Sequence, residues 1–419
     1  MATLMPPPAQ STPRPATAHR GRFAGRRAGM VTFSGFPEDP RPRRALEALL
    51  DEGMHVDLIC LAEAHPAGLE ERDRLTIRRI PLAHTRGGFA QYAYNYLAFI
   101  LLSAFHLSWG LRQGRYHLVH VHNMPDVLVF SALIPKLFGA RVILDQHDPM
   151  PELMTTIFGF REDSLPVKAM KFFEWLSLGF ADAVITVNIA CQRIFSRRGC
   201  PPGKISIVMN APDEKIFPVT PARATTPDPE QPFVIMYHGS IVERNGLDLA
   251  VEALALLGDL RSQIELRVYG KENAFLRSVQ ARAAELGVAS QLSFQGSKRV
   301  DDLPAEIQQC DLGVIPNQKN AFTDINTPTR IFEYLAMGKP VIAPRTSGIT
   351  DYFDADSLYF FEPGNAQDLA ATLRRAILDP AERKRLAEQG QRIFSRHTWS
   401  REREVLLGLV DRLLPDQGS

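Results

Sequence analysis

Between Asn317 and Pro344 the chain reads NQKNAFTDINTPTRIFEYLAMGKPVIAP, and the order of its parts leaves few folds open. A short apolar run, Leu312–Pro316, comes first and has the length of a buried parallel strand. A polar loop with Asp324, Asn326 and Thr327 follows, and Thr327 and Pro328 stand where an N-cap and a first helical residue belong. The helix predicted over Arg330–Met337 stops at Gly338, and Pro340–Pro344 is a second buried strand. Strand, polar loop, helix and strand form half of a doubly wound α/β unit. At such a helix start, around Thr329 and Arg330, unbonded backbone N–H groups and the helix dipole suit a diphosphate. Glu333, one turn in, is placed to accept hydrogen bonds from a ribose diol.

The same alternation fills the rest of the chain. Met30–Ser34 reads as a strand, and Gly35 opens a loop whose Pro37, Pro40 and Pro42 oppose regular structure. A helix over Arg43–Glu52 and a strand over His55–Leu61 follow, then strands over His117–Asn123 and Arg141–His147 around a helix at Pro125–Phe138. Strands at Ala181–Asn188 and Ile205–Asn210 close the series, and Pro212–Gln231 has the proline and small polar residues of a linker. A second series starts at Phe233–His238 and ends in helices at 366–378, 381–395 and 401–414. The predicted division is a disordered arm over 1–28, one domain over 29–215 and a second over 216–400. The helix 401–414 packs back on the first domain.

Composition excludes several classes. A formal charge of +1 gives no basic field, so nucleic acid is not an expected partner. The four cysteines, Cys60, Cys191, Cys200 and Cys310, lack paired or metal-ligand spacing and read as reduced thiols of a cytosolic protein. The first acidic residue is Glu38, and no apolar signal-peptide core precedes it. Residues 91–111 are apolar almost all round, yet a span there would divide one sheet between two sides of a bilayer. They read as a buried or membrane-facing helix. Asp354 and Asp356 mimic a metal-binding Asp-x-Asp, but they stand away from any strand end, and no metal ligand is assigned.

Three stretches, TPTRIFEYLAMGKPV, YHGSIVERNG and HNMPD…LDQHD, together resemble the retaining family-4 glycosyltransferases, and the resemblance extends from about residue 30 to 414. It implies the GT-B fold: two Rossmann-like doubly wound parallel-sheet domains facing across a cleft, nucleotide on the second and acceptor on the first. Glu333 matches the second glutamate of the family's Glu-x7-Glu signature, which binds ribose. The first glutamate's place is taken by Ile325, with Asp324 beside it as a substitute. The family turn G-R-L-x-x-x-K-G holds the donor phosphates. Here Gly239 and Gly246 match, Ser240 and Asn245 replace its cations, and Arg244 is the residue left to supply charge. Lys271 is a secondary phosphate candidate, and Gly35 belongs to the glycine loop that faces donor phosphates and acceptor. His147 matches the histidine that contacts the donor sugar, so His147, Asp148 and Arg244 are the expected catalytic set. Asp148 and Glu152 are placed for an acceptor hydroxyl or for a helix cap. His122 stands with His120 at a carboxyl strand edge, where ligands bind, and is an acceptor-side candidate; each reads equally as a satisfied loop histidine.

The resemblance implies no cofactor and no metal, a nucleotide-sugar donor, and a saccharide or lipid-linked acceptor of surface polysaccharide or glycolipid synthesis. It also implies a cytoplasmic protein held peripherally at the inner face of the membrane. A sugar-nucleotide epimerase of the same fold and a non-catalytic nucleotide-sugar-binding scaffold are the alternatives.

Overall fold

A computed structural model describes residues 21–63, 65–82, 89–223 and 231–414; most of the expected N-terminal arm lies outside them. The first sheet contains β1 (Arg27–Gly35), β2 (His55–Leu61), β3 (Gly68–Arg72), β4 (Leu75–Ile80), β5 (Leu118–His122), β6 (Arg141–Gln146), β7 (Ala183–Thr186) and β8 (Ile205–Ile207). Their order is β3-β4-β2-β1-β5-β6-β7-β8, parallel except for the β3–β4 pair. The second sheet contains β9 (Phe233–His238), β10 (Ile264–Tyr269), β11 (Leu292–Gly296), β12 (Leu312–Val314), β13 (Val341–Pro344) and β14 (Tyr359–Phe361), all parallel in the order β11-β10-β9-β12-β13-β14. The expected pair of doubly wound α/β domains is present.

The helices of the first half are α1 (Pro40–Asp51), α2 (Phe89–Gly110), α3 (Leu133–Leu137), α4 (Met150–Phe158), α5 (Leu165–Phe180) and α6 (Ile189–Arg197). Those of the second are α7 (Leu247–Ala255), α8 (Ala274–Glu285), α9 (Leu303–Gln308), α10 (Thr329–Ala336), α11 (Ser347–Thr350), α12 (Ala366–Leu378) and α13 (Pro380–Phe394), and α14 (Trp399–Leu413) ends the chain. Helix α14 packs on α1 and β8, and its Glu402 accepts from the Met209 amide at 2.8 Å. Strands buried on both faces carry continuous apolar runs, as FVIMYH in β9 does.

Several local expectations fail for identifiable reasons. Residues 21–28 are ordered, with Phe23 buried in the first core and β1 starting at Arg27. Pro40 and Pro42 do not break structure. They stand in the first turn of α1, where a missing N–H costs nothing, and Asp39 caps that turn. The β3–β4 hairpin was not foreseen, because its exposed, charged GLEER strand carries no apolar signal. The segment after β5 is a 3-10 run, Asp126–Ala132, before the short α3 rather than one long helix. At α10 the cap is Pro328, and Thr327 instead donates to the Gly348 carbonyl.

Helix α2 is the expected apolar helix. Phe99 and Leu107 are buried beneath it, while Leu97, Leu101 and Phe105, one to two turns apart, are each more than half exposed. Among the described residues no helix is long and apolar enough to cross a membrane.

Candidate active site

Open α/β sheets place their ligands at the carboxyl ends of their strands, and here those ends come near one another: Thr156 donates to Asn320 at 3.2 Å and Arg244 bears on Asp148. On the second domain, β9 ends in His238, and Gly239 turns the chain at φ +118°, a conformation open to glycine. A Cβ at Gly239 would meet the Arg330 side chain at 3.3 Å, so the turn lies against the start of α10. Arg330 donates to the His238 carbonyl at 2.8 Å and to Asn317 Oδ1 at 3.1 Å, and its guanidinium stands over the Tyr237 ring. It fastens β9 to the loop after β12. Thr329 and Arg330 open α10 with amides that helix geometry leaves unbonded.

Glu333 stands one turn further in. It is no ordinary surface glutamate: His238 Nε2 lies 2.5 Å from its Oε2. The Tyr334 hydroxyl donates to the Met236 carbonyl at 2.7 Å and sits 2.8 Å from His238 Nδ1. The imidazole is thereby fixed from behind. Oε1 of Glu333 has no hydrogen-bond partner among the described residues. His238 was missed in the sequence, although its place, last in a buried strand before a glycine turn, is a signal.

Arg244 is half-buried near the Phe322 ring and forms no ion pair among the described residues. Lys271 is exposed just beyond β10. Asp324 accepts from Ser347 Oγ at 2.9 Å and lies 3.5 Å from Lys319, so its carboxylate braces α11. Ile325, at the place of the missing glutamate, packs on the apolar core of the first domain, and its carbonyl accepts from Asn188 at 2.8 Å. The position has become an interdomain contact, joined by Arg193–Asp351 and by the Ile189 amide donating to the Tyr352 hydroxyl.

On the first domain, His120 and His122 stack with ring centroids 4.3 Å apart at the end of β5. Asp145 on β6 lies 3.4 and 3.3 Å from them, and Arg41 of α1 grips its other oxygen at 2.7 Å. Burial pushes Asp145 up, but Arg41 and the two histidines outweigh it and hold the carboxyl well below its usual range. Burial, with His120 beside it, lowers His122 to about 4. His147 Nε2 lies 2.9 Å from His122 Nδ1, and burial holds His147 well below its ordinary value against the pull of Asp145. His147 is therefore a neutral hydrogen-bonding group near pH 7. His120, His122 and Asp145 together form a potential cation-ligating group. Arg41 pairs with the other oxygen of that carboxylate.

Asp148 follows His147 on the loop into α4. Burial raises its carboxyl to about 6, opposed by Arg244 from the other domain and by Arg41. Two expected residues lie elsewhere. Glu152 turns inward to Arg198, which also holds the buried Glu174, so it does not meet an acceptor. A Cβ at Gly35 would meet Glu63 Oε2 at 2.5 Å and Glu38 Oε2 at 3.1 Å. Carboxylates so close to Gly35 disfavour a diphosphate beside it. Asp354 binds its own turn through Ser357, and Asp356 pairs with Arg385.

Comparison with known proteins follows the same division of the chain. The family described as "Glycosyl transferases group 1" matches residues 220–393, and "Glycosyl transferase 4-like domain" matches residues 39–211. A lipopolysaccharide 1,2-N-acetylglucosaminetransferase of Salmonella typhimurium is 28% identical over 233 residues, covering 52% of this chain and 59% of that protein. The putative colanic acid biosynthesis glycosyltransferase WcaL of Escherichia coli is 26% identical over 234 residues, covering 54% and 56%. The chain thus spans a little over half the length of these curated relatives. Among solved structures, sucrose-phosphate synthase from Thermosynechococcus elongatus superposes with a TM-score of 0.72 at 18% identity, covering 93% of this chain and 99% of that one. WaaG, a glycosyltransferase involved in lipopolysaccharide biosynthesis, gives 0.66 at 18% identity, covering 93% and 100%. Anabaena HepE in complex with UDP gives 0.66 at 16%, covering 92% and 100%. These likenesses establish the GT-B fold.

Proposed function

The chain belongs to the glycosyl transferases matched across its two halves, and from that premise we propose that it moves a sugar from a nucleotide-sugar to a saccharide or lipid-linked acceptor, retaining the anomeric configuration. The observation that carries this reading is the pairing of an open helix start at α10 with Glu333, one turn in and braced by His238. Together they offer amides to a diphosphate and a carboxylate oxygen to a ribose. The HepE structure contains UDP, and relatives work in lipopolysaccharide and colanic acid synthesis, which supports a nucleotide-sugar donor and a surface-saccharide product.

In this reading Arg244 and the α10 amides stabilise the leaving diphosphate, with Lys271 at the rim. Neutral His147 bonds the donor sugar without adding charge beside it. Asp148, ionised above about pH 6, accepts from the acceptor hydroxyl. The bond from anomeric carbon to diphosphate oxygen breaks, and the bond to the acceptor oxygen forms on the same face. Asp148 takes the acceptor proton and later releases it to solvent, and the nucleoside diphosphate departs as the anion. No metal takes part. The protein works at the inner face of the cytoplasmic membrane, on which the exposed apolar side of α2 rests.

Incubating the protein with UDP-, GDP-, ADP- and TDP-sugars, with and without a membrane extract, tests the proposal. Release of one nucleoside diphosphate only with extract is expected. A free epimerised nucleotide-sugar, or no reaction with any donor, would contradict it. The family matches, all to transferases, lend the epimerase alternative no support.

A further inference from the structure

The stretches HNMPD, residues 122–126, and LDQHD, residues 144–148, bond one another at several points. Strands β5 and β6 pair in parallel with His122 opposite Asp145, and the Asn123 amide donates to the Asp145 carbonyl at 2.9 Å. The side chain of Asn123 then reaches the loop that leaves β6. Its Oδ1 accepts from the His147 N–H at 2.7 Å, and its Nδ2 donates to the Asp148 carbonyl at 2.9 Å. One side chain thus holds the main chain where it enters His147 and where it leaves Asp148.

The amide can point only one way. On its nitrogen side stand three acceptors: the Asp148 carbonyl, Asp126 Oδ1 at 3.0 Å and Gln146 Oε1. On its oxygen side stands a donor, the His147 N–H. A flipped amide would set oxygen against three oxygens and NH₂ against an N–H. Asn123 is only 5% exposed, so an unmade bond there is costly. The ring of His147 is held from the same strand end, for His122 Nδ1 lies 2.9 Å from its Nε2. That leaves Nδ1 as the His147 ring nitrogen without a partner among the described residues.

We propose that Asn123 is a positioning residue for the transfer. It sets the spacing between the group that bonds the donor sugar, His147, and the group that takes the acceptor proton, Asp148. It touches neither substrate, because its own polar atoms are already engaged. The proposal rests on the transferase reading above. Reacting groups tolerate little misplacement, and a buried amide bonded on both sides is a means of preventing it.

Asn123→Ala frees the loop and leaves both catalytic side chains present. With the donor that the nucleotide-sugar panel identifies, kcat should fall by about a hundredfold, the scale of a misplacement near 1 Å. Affinity for the matching nucleoside diphosphate should not change, because its proposed partners lie on the second domain. Affinity for the intact nucleotide-sugar should fall by about three- to tenfold, as loss of one hydrogen bond requires. Asn123→Ser, which leaves room for a water, is measured beside it, and melting curves check that each variant folds.

The decisive readout is a double-mutant cycle in nucleotide-sugar affinity. In a His147→Ala background the contact that Asn123 positions is gone, so Asn123→Ala should cost nothing further. A residue that only supports the fold would add its full loss in both backgrounds. Additive losses, a folded variant that transfers like wild type, or nucleoside diphosphate affinity that falls with turnover would overturn the proposal. So would failure of both variants to fold, which would assign Asn123 to the fold alone. Any of these in an active wild type sinks this proposal by itself, whereas a wild type that transfers from no donor removes the transferase reading and this proposal with it.

Discussion

His238 Nε2 lies 2.5 Å from Glu333 Oε2, so a strand end and a helix first turn hold one carboxylate between them. A carboxylate fixed in this way offers its second oxygen in one direction, which favours a particular hydroxyl pair over solvent.

Glu333→Gln keeps an acceptor for His238 and should change folding stability by about 1 kcal/mol or less, while nucleotide-sugar affinity falls by about 1.5–3 kcal/mol, some ten- to a hundredfold. A 2′-deoxyribose donor should bind poorly to the wild type, and the substitution should add little to that loss. His238→Ala should also erode the preference for ribose, because it releases the carboxylate without removing it. Calorimetric titration checks all three, and wild-type affinity in Glu333→Gln would refute the ribose assignment.

Arg244→Ala should weaken nucleoside diphosphates by about 1.5–3 kcal/mol and nucleosides far less, as loss of a charge-assisted bond requires. Arg244 also holds the Asp148 carboxyl down from across the cleft. Its removal should therefore shift the acid limb of the activity profile to higher pH. Equal losses for both ligands would place Arg244 away from the phosphates.

Asp148 gives a pH prediction in two parts. Burial raises its carboxyl to about 6, so the anion needed for the acceptor hydroxyl is lost, and kcat/KM should fall, as pH drops through about 6. The folded chain binds this proton more tightly than the unfolded chain, so stability falls as pH rises from about 4 to about 6 and stays reduced above. Asp148→Asn removes that cost. Relative to wild type it should melt higher at pH 8 than at pH 5, with turnover lost. A lower relative Tm at pH 8 would contradict the assignment.

Chelation supplies a fourth test. Cations and helix amides are the proposed diphosphate ligands, so EDTA should leave turnover unchanged. If EDTA abolished turnover and Mg²⁺ restored it, the His120–His122–Asp145 group would need reassessment as a metal site.

The alternation of buried apolar runs with amphipathic stretches was enough to place most strands, because doubly covered parallel strands leave a strong local signal. Glu333, Arg244 and His147 were singled out by their match to the family's motifs, and the structure puts them at a helix first turn, beside a glycine turn and at a strand end. Long-range pairings were not legible. Glu152 belongs to Arg198, 46 residues away, and Ile325 to the opposite domain; nothing near either in sequence announces it. The hairpin at β3–β4 and the first turn of α1 were hidden for a different reason: exposed charge masks an edge strand, and proline at a helix start resembles a loop.

The transfer itself is the central claim, and an isotope measurement follows it directly. A nucleotide-sugar carrying ¹³C at the anomeric carbon is incubated with the protein and a membrane extract, and both phases are examined by NMR. The account predicts that the label leaves the nucleotide, appears on an extractable acceptor, and keeps the anomeric configuration of the donor. Label that stays on the nucleotide, or that arrives with inverted configuration, would contradict it.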